Sequence, residues 1–289
     1  MKELFDLSET VNYHPAYENI ALEKSSLAIE AKSFFQKLYN KYVELNYEEN
    51  NFLDGIKKQW HPRVWELYFT IKLMELGFDI NCPKGNAPDV KIQNDNQIIW
   101  IECATLSKGN GAVKECDDDV LHTFNDEDYI LRITSTITSK YKQIENHRES
   151  GVIGSEDIVL IAMNTGELDL TEIAQMDFPL IQKALYGIGS MTYNFTTKEV
   201  SNQHRLNVKK SNNVKIKTNY FATDEYENIS GIIFSDWKST EISKKLTEGF
   251  ELTHNLYAKN KLREGFFKIG CEYMPYINDN LGEFKKLAY

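Results

Sequence analysis

The sequence contains few cysteines, no long apolar run and no excess of basic residues. Its four cysteines are scattered, without a C-x-x-C pair (Cys82, Cys103, Cys116 and Cys271). This spacing argues against a structural zinc site and against a disulfide framework, so we expect reduced thiols. No apolar stretch approaches the roughly 20 residues that cross a bilayer. The first residues carry acids and lack an apolar signal segment, so we predict a cytoplasmic protein with no membrane partner.

The overall charge is acidic. Lysine and arginine number 33 against 43 aspartate and glutamate residues, which gives a formal net charge of −10. Proteins that bind phosphates usually present a basic surface, so this balance counts against nucleic acid as a partner. The charge is unevenly distributed, however. Glu115–Asp119 and Asp224–Glu227 are acidic, whereas the segment His204–Lys217 contains no acid and several basic residues (Arg205, Lys209, Lys210, Lys215 and Lys217).

Length and composition predict a globular α/β protein. The chain has 289 residues, of which 42% are hydrophobic and 26% charged, and it shows no internal repeat or low-complexity linker. We divide it into an N-terminal helical segment (1–53), a core (54–170) and a C-terminal α/β extension packed on the core (171–289). The order helix, strands, helix, strand in the core indicates a mixed sheet flanked by helices.

The spacing of apolar residues predicts the individual elements. Helices are expected over Ala21–Tyr47, Asp54–Leu76 and Glu127–His147, and Thr171–Tyr186 is partly helical. Strands are expected at Phe78–Asn81, Asp89–Ile92, Ile98–Ala104, Asp157–Asn164, Gly231–Ser235 and Phe266–Tyr273. The polar residues Asn94–Asn96 predict a hairpin turn, and a long loop covers Ser107–Asp126. Ile98–Ile101 is apolar on both faces, which indicates a central strand.

Three acids occupy positions where this pattern favours apolar residues or a strand end. Glu66 lies on the more apolar face of its helix, where an unpaired carboxylate is costly and needs a cation or a donor. Asp89 follows Pro88 at the start of one strand, and Glu102 ends the strand across the hairpin. Pairing of the two strands would bring Asp89 and Glu102 to the same edge of the sheet. Clustered carboxylate oxygens suit Mg²⁺, which polarises a phosphate and lowers the pKa of a bound water.

These residues resemble the PD-(D/E)XK, or restriction-endonuclease-like, nuclease superfamily. Pro88-Asp89 matches its first motif, Glu102-Cys103-Ala104 matches its second, and Glu66 matches the acid that many members carry on a preceding helix. The resemblance covers the middle third of the chain, from about Trp60 to Asn164. It implies a restriction-endonuclease-like core, and it implies metal-dependent hydrolysis of phosphodiester bonds, usually in DNA, with RNA left open.

The resemblance also implies roles for the residues. Asp89, Glu102 and the carbonyl of Cys103 would bind Mg²⁺, with Mn²⁺ as a substitute, and Glu66 would complete the metal shell or orient a water. A homodimer follows by analogy, since cutting both strands of a duplex usually calls for two sites. A role in bacterial defence against foreign DNA would fit the superfamily.

One position departs from the motif. Ala104 stands where the superfamily has a lysine, which positions the water or stabilises developing charge. Lys140 is the candidate replacement, because it lies inside the apolar stripe of its helix and a buried lysine requires an anionic partner. Lys108, in the loop after the motif, is the rival candidate. Arg132, on the same helix as Lys140, is expected to contact a phosphate of the substrate.

Each acid also has a plain structural interpretation. Glu66 could pair with a basic neighbour on its helix (Arg63 or Lys72), and ion-pair networks of this kind resemble functional sites. Asp89 could be a turn residue after proline, and Glu102 could be a solvent-facing strand end. Lys140 could reach the surface along its aliphatic stem.

Other residues near the motif are expected to be structural. His61 packs locally at the start of its helix, and Cys103 is a core cysteine rather than a nucleophile. Trp65 and Trp100 are core residues. Thr253–Asn255 could line a substrate cleft, but the sequence provides no mechanism for it.

Two functions from other classes remain open. Ala104 favours a catalytically lapsed relative that binds nucleic acid through the basic segment His204–Lys217. The net charge of −10 favours an interaction protein whose acidic surface meets other proteins.

Overall fold

A computed structural model of the chain describes residues 3–7, 12–48, 51–94, 97–108, 126–166, 168, 178–198, 200–242, 248–278 and 281–289. Most of the predicted loop Ser107–Asp126, with its acidic run Glu115–Asp119 and Cys116, lies outside these ranges. The other three cysteines are free thiols.

The described residues form six α-helices: α1 (Pro15–Leu22), α2 (Ser26–Glu44), α3 (Phe52–Lys58), α4 (Trp60–Glu75), α5 (Asp126–Glu149) and α6 (Leu180–Tyr186). Two predicted helices had the wrong bounds. The helix predicted over Ala21–Tyr47 begins only at Ser26, because the hydroxyl of Ser25 caps it by accepting a hydrogen bond from Ala28 N at 3.3 Å. The helix predicted over Asp54–Leu76 is two helices, because Gln59 adopts a non-helical backbone conformation (φ −128°, ψ 61°).

None of the helices in these ranges is both long enough and apolar enough to span a membrane. The segment predicted as partly helical, Thr171–Tyr186, is described only from residue 178 onward, where α6 accounts for most of it.

Twelve strands are described: β1 (Ile80–Asn81), β2 (Val90–Asn94), β3 (Gln97–Thr105), β4 (Ile158–Asn164), β5 (Ile188–Tyr193), β6 (Val200–His204), β7 (Asn207–Lys209), β8 (Lys215–Lys217), β9 (Gly231–Ser235), β10 (Phe250–His254), β11 (Cys271–Asn278) and β12 (Leu281–Ala288). Eight of them form one mixed sheet in the order β1-β2-β3-β4-β9-β10-β11-β12. The pairs β5–β6 and β7–β8 form two separate ribbons. The predicted α/β fold with a mixed sheet flanked by helices is therefore confirmed.

The predicted hairpin forms the second and third strands of this sheet. β2 and β3 are antiparallel, with Val90 opposite Ile101 and Asn94 opposite Gln97. On its other side β3 runs parallel to β4. β3 is therefore paired on both edges over most of its length. This agrees with the prediction of a central strand from its two apolar faces.

Alternation along β3 assigns its side chains to two different cores. The odd-numbered residues pack against the helices α1 to α4 (Ile99, Ile101 and Cys103). The even-numbered residues pack against α5 (Trp100 and Ala104). Glu102 therefore points toward α5, whereas Glu66 belongs to α4 on the opposite face of the sheet. Any site that unites these two acids has to extend around the edge of the sheet.

Strands of the predicted extension complete the same sheet. The strand predicted at Phe266–Tyr273 is wrong in its bounds, since β11 begins at Cys271. The residues before it cannot continue an extended strand, because Gly265, Lys268 and Gly270 have positive φ angles of 67°, 53° and 49°.

Candidate functional site

Glu102 and Lys140 meet between the sheet and α5. Lys140 donates a hydrogen bond from Nζ to Glu102 Oε1 at 2.7 Å. The Glu102 residue is only 6% exposed. Its second oxygen, Oε2, is buried and has no hydrogen-bond partner among the described residues. Glu102 thus presents one carboxylate oxygen held by a lysine and one oxygen that still requires a partner.

Asp89 lies directly before β2, at the edge of β3. Its Oδ2 accepts a hydrogen bond from the backbone N–H of Cys103 at 2.7 Å. β2 begins at Val90, opposite Ile101, so Asp89 takes the place of the missing strand partner of Cys103. The N–H and C=O of a strand residue point toward the same neighbour, so the carbonyl of Cys103 also faces this side. The geometry thus brings Asp89 and the Cys103 backbone together.

Glu66 is buried on α4 and held by two donors. The hydroxyl of Tyr42 donates to Oε1 at 2.9 Å, and Nη1 of Arg63 donates to Oε2 at 2.8 Å. The pairing with Arg63 agrees with the structural interpretation of Glu66, whereas Lys72 pairs with Glu75 instead. Both carboxylate oxygens of Glu66 thus have protein partners.

Electrostatics links the three acids. Burial, and after it the negative charge of Asp89, raises the pKa of Glu66 to about 7, against the opposing effects of Arg63 and Tyr42. Burial and then Asp89 also raise the pKa of Glu102 to about 7, against the opposing effect of Lys140. Because the charge of Asp89 acts on both glutamates, the three acids form one electrostatic group around the edge of β3.

Lys140 remains charged in this group. Burial lowers the pKa of Lys140, but the charge and hydrogen bond of Glu102 together with the charge of Asp89 outweigh burial, so the net pKa of Lys140 is raised. The contact with Glu102 also shows that Lys140 does not extend past the acid to the surface. The neighbouring thiols stay neutral: burial raises the pKa of Cys103 well above its ordinary value and that of Cys82 to about 12. A neutral thiol is a poor nucleophile and a poor metal ligand.

Two residues of this cluster were missed in the sequence. Tyr42 lies in the apolar stripe of α2, where nothing in the sequence distinguishes it from a core residue. His147 follows Lys140 by seven residues, so it lies on the same face of α5, and this spacing was the available signal. His147 is buried, its Nδ1 has no hydrogen-bond partner among the described residues, and burial lowers the pKa of its imidazole.

The oxygen donors are arranged to bind one hard cation through Asp89 and Glu102 rather than through all three acids. In the described ranges, no three or more His, Cys, Asp or Glu side chains converge as a metal site. Mg²⁺, however, usually binds through one or two carboxylates and keeps several waters. The unpartnered Oε2 of Glu102, the carboxylate of Asp89 and the carbonyl of Cys103 are oxygen donors of this kind. Glu66, already held by two donors, is not needed for this arrangement.

Two basic candidates lie elsewhere. Arg132 precedes Lys140 by eight residues, about 12 Å along α5, so it does not contact the same carboxylate. Its Nε is buried without a hydrogen-bond partner among the described residues. Lys108 lines a cleft of about 640 Å³ together with His14 and His61, and none of the three acids lines it. In that cleft the ring of His61 packs edge-on against that of His14, with ring centroids 5.0 Å apart.

The residues Thr253–Asn255 lie away from the three acids, at the end of β10. His254 ends β10, and its Nε2 lies 2.6 Å from Glu272 Oε1. His254 and Asn255 line a cavity of about 470 Å³ that contains none of the three acids.

The fold and the site define an α/β protein with a buried acid–lysine cluster at the end of a central strand. Comparison with protein-family models, with curated proteins and with solved structures found no match for this chain.

Proposed function

We propose that the protein is a metal-dependent nuclease that hydrolyses phosphodiester bonds in DNA. The observation that carries the proposal is the buried pair Glu102–Lys140 beside Asp89. One oxygen of Glu102 is held by Lys140, which comes from α5, whereas this chain has Ala104 at the lysine position of the motif. The other oxygen of Glu102 has no partner among the described residues. Such an arrangement of carboxylates and a fixed positive charge suits a cation and a phosphate.

Each residue has a role in this proposal. A cation held by Asp89, Glu102 and the carbonyl of Cys103 would polarise the phosphate and lower the pKa of a bound water. Lys140 holds Glu102 in place and supplies a positive charge for the negative charge that develops on the phosphate. The backbone N–H of Cys103 orients Asp89. Glu66, fixed by Arg63, adds negative potential that favours cation binding.

Cleavage of both strands of a duplex would require two such sites, so a homodimer belongs to the proposal by analogy.

The second candidate function is a catalytically lapsed nucleic-acid-binding module. Ala104 favours it, and the lysine at position 140 counts against it, because this residue supplies the missing charge from another element.

The test compares the wild type with Asp89→Asn, which keeps an oxygen to accept the hydrogen bond from Cys103 but removes the charge. Each protein is incubated with supercoiled plasmid, linear duplex, single-stranded DNA and RNA, in Mg²⁺, Mn²⁺ or EDTA. We expect cleavage by the wild type with either metal and none in EDTA. The rate should fall at least about 100-fold in Asp89→Asn, since an interaction made in the transition state is lost.

Asp54→Asn is the matched control, because Asp54 is an exposed acid on α3. It should cleave like the wild type. Absence of cleavage of every substrate, or equal cleavage by Asp89→Asn, would contradict the proposal and favour the binding module.

A further inference from the structure

The two ribbons concentrate positive charge in an acidic molecule. Residues 188–217 contain six lysine and arginine residues and one acid, a formal charge of +5 within a chain of −10. Arg205 pairs with Asp126 and Lys217 with Glu225. The other four lysines are exposed and have no ion-pair partner among the described residues (Lys198, Lys209, Lys210 and Lys215). These four are available to an anion from outside the molecule.

The ribbon β7–β8 presents two of these lysines side by side. Lys209 lies opposite Lys215 in the register. Val208 precedes Lys209 on β7 and lies opposite Ile216, next to Lys215 on β8. Val208 is buried against the core of α5, so by alternation both lysines point outward. Like charges directly opposite each other destabilise a strand pair, and a bound anion removes that penalty. β7 packs against α5, the helix that carries Lys140, so the ribbon and Lys140 belong to the same packed layer.

The ribbon β5–β6 adds exposed aromatic rings. Phe195 is 88% exposed and Tyr193 is 49% exposed. The two rings meet edge to face, with centroids 5.2 Å apart. Tyr193 lies opposite Val200 on β6, a strand that is exposed along its whole length. Large exposed apolar side chains that cluster in this way mark a binding surface.

We propose that these exposed side chains of the two ribbons, which we call the ribbon surface, bind single-stranded nucleic acid (Tyr193, Phe195, Lys198, Lys209, Lys210 and Lys215). The lysines contact phosphates, and unpaired bases stack on the two rings. In a duplex the bases are already stacked inside the helix, so the combination of rings and lysines favours a single strand. Only Arg205 and Leu206 separate β6 from β7, so the two ribbons follow each other directly in the chain and a single extended strand of nucleic acid can contact both. This inference rests on the proposed nuclease function, for which it names the substrate form.

Binding is measured by fluorescence anisotropy of a labelled oligothymidylate about 20 nucleotides long, longer than the site of one small binding domain. EDTA is present, so that no hydrolysis occurs. We expect the wild type to bind this oligonucleotide more tightly than a duplex of equal length, and more weakly as salt rises. Lys209→Glu/Lys215→Glu and Tyr193→Ala/Phe195→Ala should each weaken binding about tenfold or more. Only the lysine variant should also lower the salt dependence.

The matched control is Lys37→Glu/Lys58→Glu, which makes the same change of charge at exposed positions of α2 and α3. It should bind within about twofold of the wild type, because it leaves the phosphate contacts intact. Far-UV circular dichroism checks that each variant is folded. The inference is overturned if the oligonucleotide does not bind, if the control loses as much affinity as the lysine variant, or if the aromatic variant binds like the wild type. A wild-type dimer that becomes a monomer in the aromatic variant, without oligonucleotide binding, would also overturn it.

The outcome is separable from that of the nuclease test. Specific loss of binding in the ribbon variants, with no cleavage by the wild type, would support the ribbon surface and refute the nuclease. Cleavage that depends on Asp89, with binding unchanged in the ribbon variants, would do the reverse.

Discussion

At the residue scale, the candidate site depends on where a positive charge lies in space rather than in the sequence. Ala104 lies on the face of β3 that α5 covers, and Lys140 reaches Glu102 from that helix. The sequence indicated this residue because a lysine in an apolar stripe needs an anionic partner. Tyr42 and His147 could not be found by the same reasoning, because tyrosine and histidine are common at half-buried positions.

The Glu102–Lys140 pair predicts a stability loss that depends on pH. Lys140→Met should cost about 1 kcal/mol at about pH 8, because Glu102 loses its cation and has to take up a proton to stay buried, about one pH unit above its pKa of about 7. The loss should shrink toward about pH 5.5, since the raised pKa of Glu102 leaves it protonated there. Urea denaturation at the two pH values measures it, with the exposed Lys142→Met on α5 as control. An equal loss at both pH values would count against this pairing.

The raised pKa values predict how pH affects metal-dependent cleavage. The carboxyl groups of Glu66 and Glu102 have pKa values of about 7, above the ordinary 4.5. Cation binding needs the ionised form of Glu102, and ionised Glu66 favours it, so cleavage should increase as pH rises through about 7, and more Mg²⁺ should shift the midpoint to lower pH. Initial rates across pH at two Mg²⁺ concentrations check this. A midpoint that is the same at both Mg²⁺ concentrations would show that the titrating carboxyl group does not bind the metal.

The same groups give a stability effect of opposite sign without metal. Their folded pKa values lie above the ordinary value, so the native state binds more protons than the unfolded state between about pH 4.5 and 7. Stability in EDTA should therefore fall as pH rises through this window, and saturating Mg²⁺ should oppose the fall. Thermal unfolding with and without Mg²⁺ measures both effects.

At the element scale, the strands predicted most closely are those whose residues are apolar and buried throughout. The strands Asp157–Asn164 and Gly231–Ser235 were predicted to within one residue, since both are short apolar runs that lie buried in the sheet. The strand β6 gives no such signal, because its residues are exposed on both faces and largely polar. The break at Gln59 was missed because the apolar spacing continues through it.

Only glycine fits at position 270, directly before β11. Gly270 has φ +49°, and a Cβ built there would collide with the carbonyl oxygen of Phe250 on β10. Gly270→Ala should therefore cost more than about 3 kcal/mol, because the left-handed backbone and the collision add together. Gly282→Ala on β12, where nothing lies within 4 Å, should change stability by less than about 0.5 kcal/mol. Denaturant midpoints of the two variants measure the contrast, and similar midpoints would refute it.

At the scale of the whole molecule, one sheet joins the predicted core to the predicted extension. β4 pairs with β9, from Leu160 opposite Gly231 to Asn164 opposite Ser235. Apolar periodicity is a local property, so it could identify both strands but could not show that they are neighbours. The same limit applies to the site: the spacing placed Asp89 and Glu102 on one hairpin, whereas the approach of α5 depends on packing between distant segments.

This shared sheet predicts that the N-terminal part does not fold alone. A fragment that ends at Gly166 would leave β4, all of whose residues are buried, as an exposed apolar edge. We expect this fragment to aggregate or to unfold without a cooperative transition. The whole chain should show a single transition that coincides by tryptophan fluorescence and circular dichroism. A chain cut by protease at the exposed turn Asn194–Lys198, away from the large sheet, is the control and should keep that transition. A soluble fragment with a cooperative transition near that of the whole chain would show instead that β4 does not need β9.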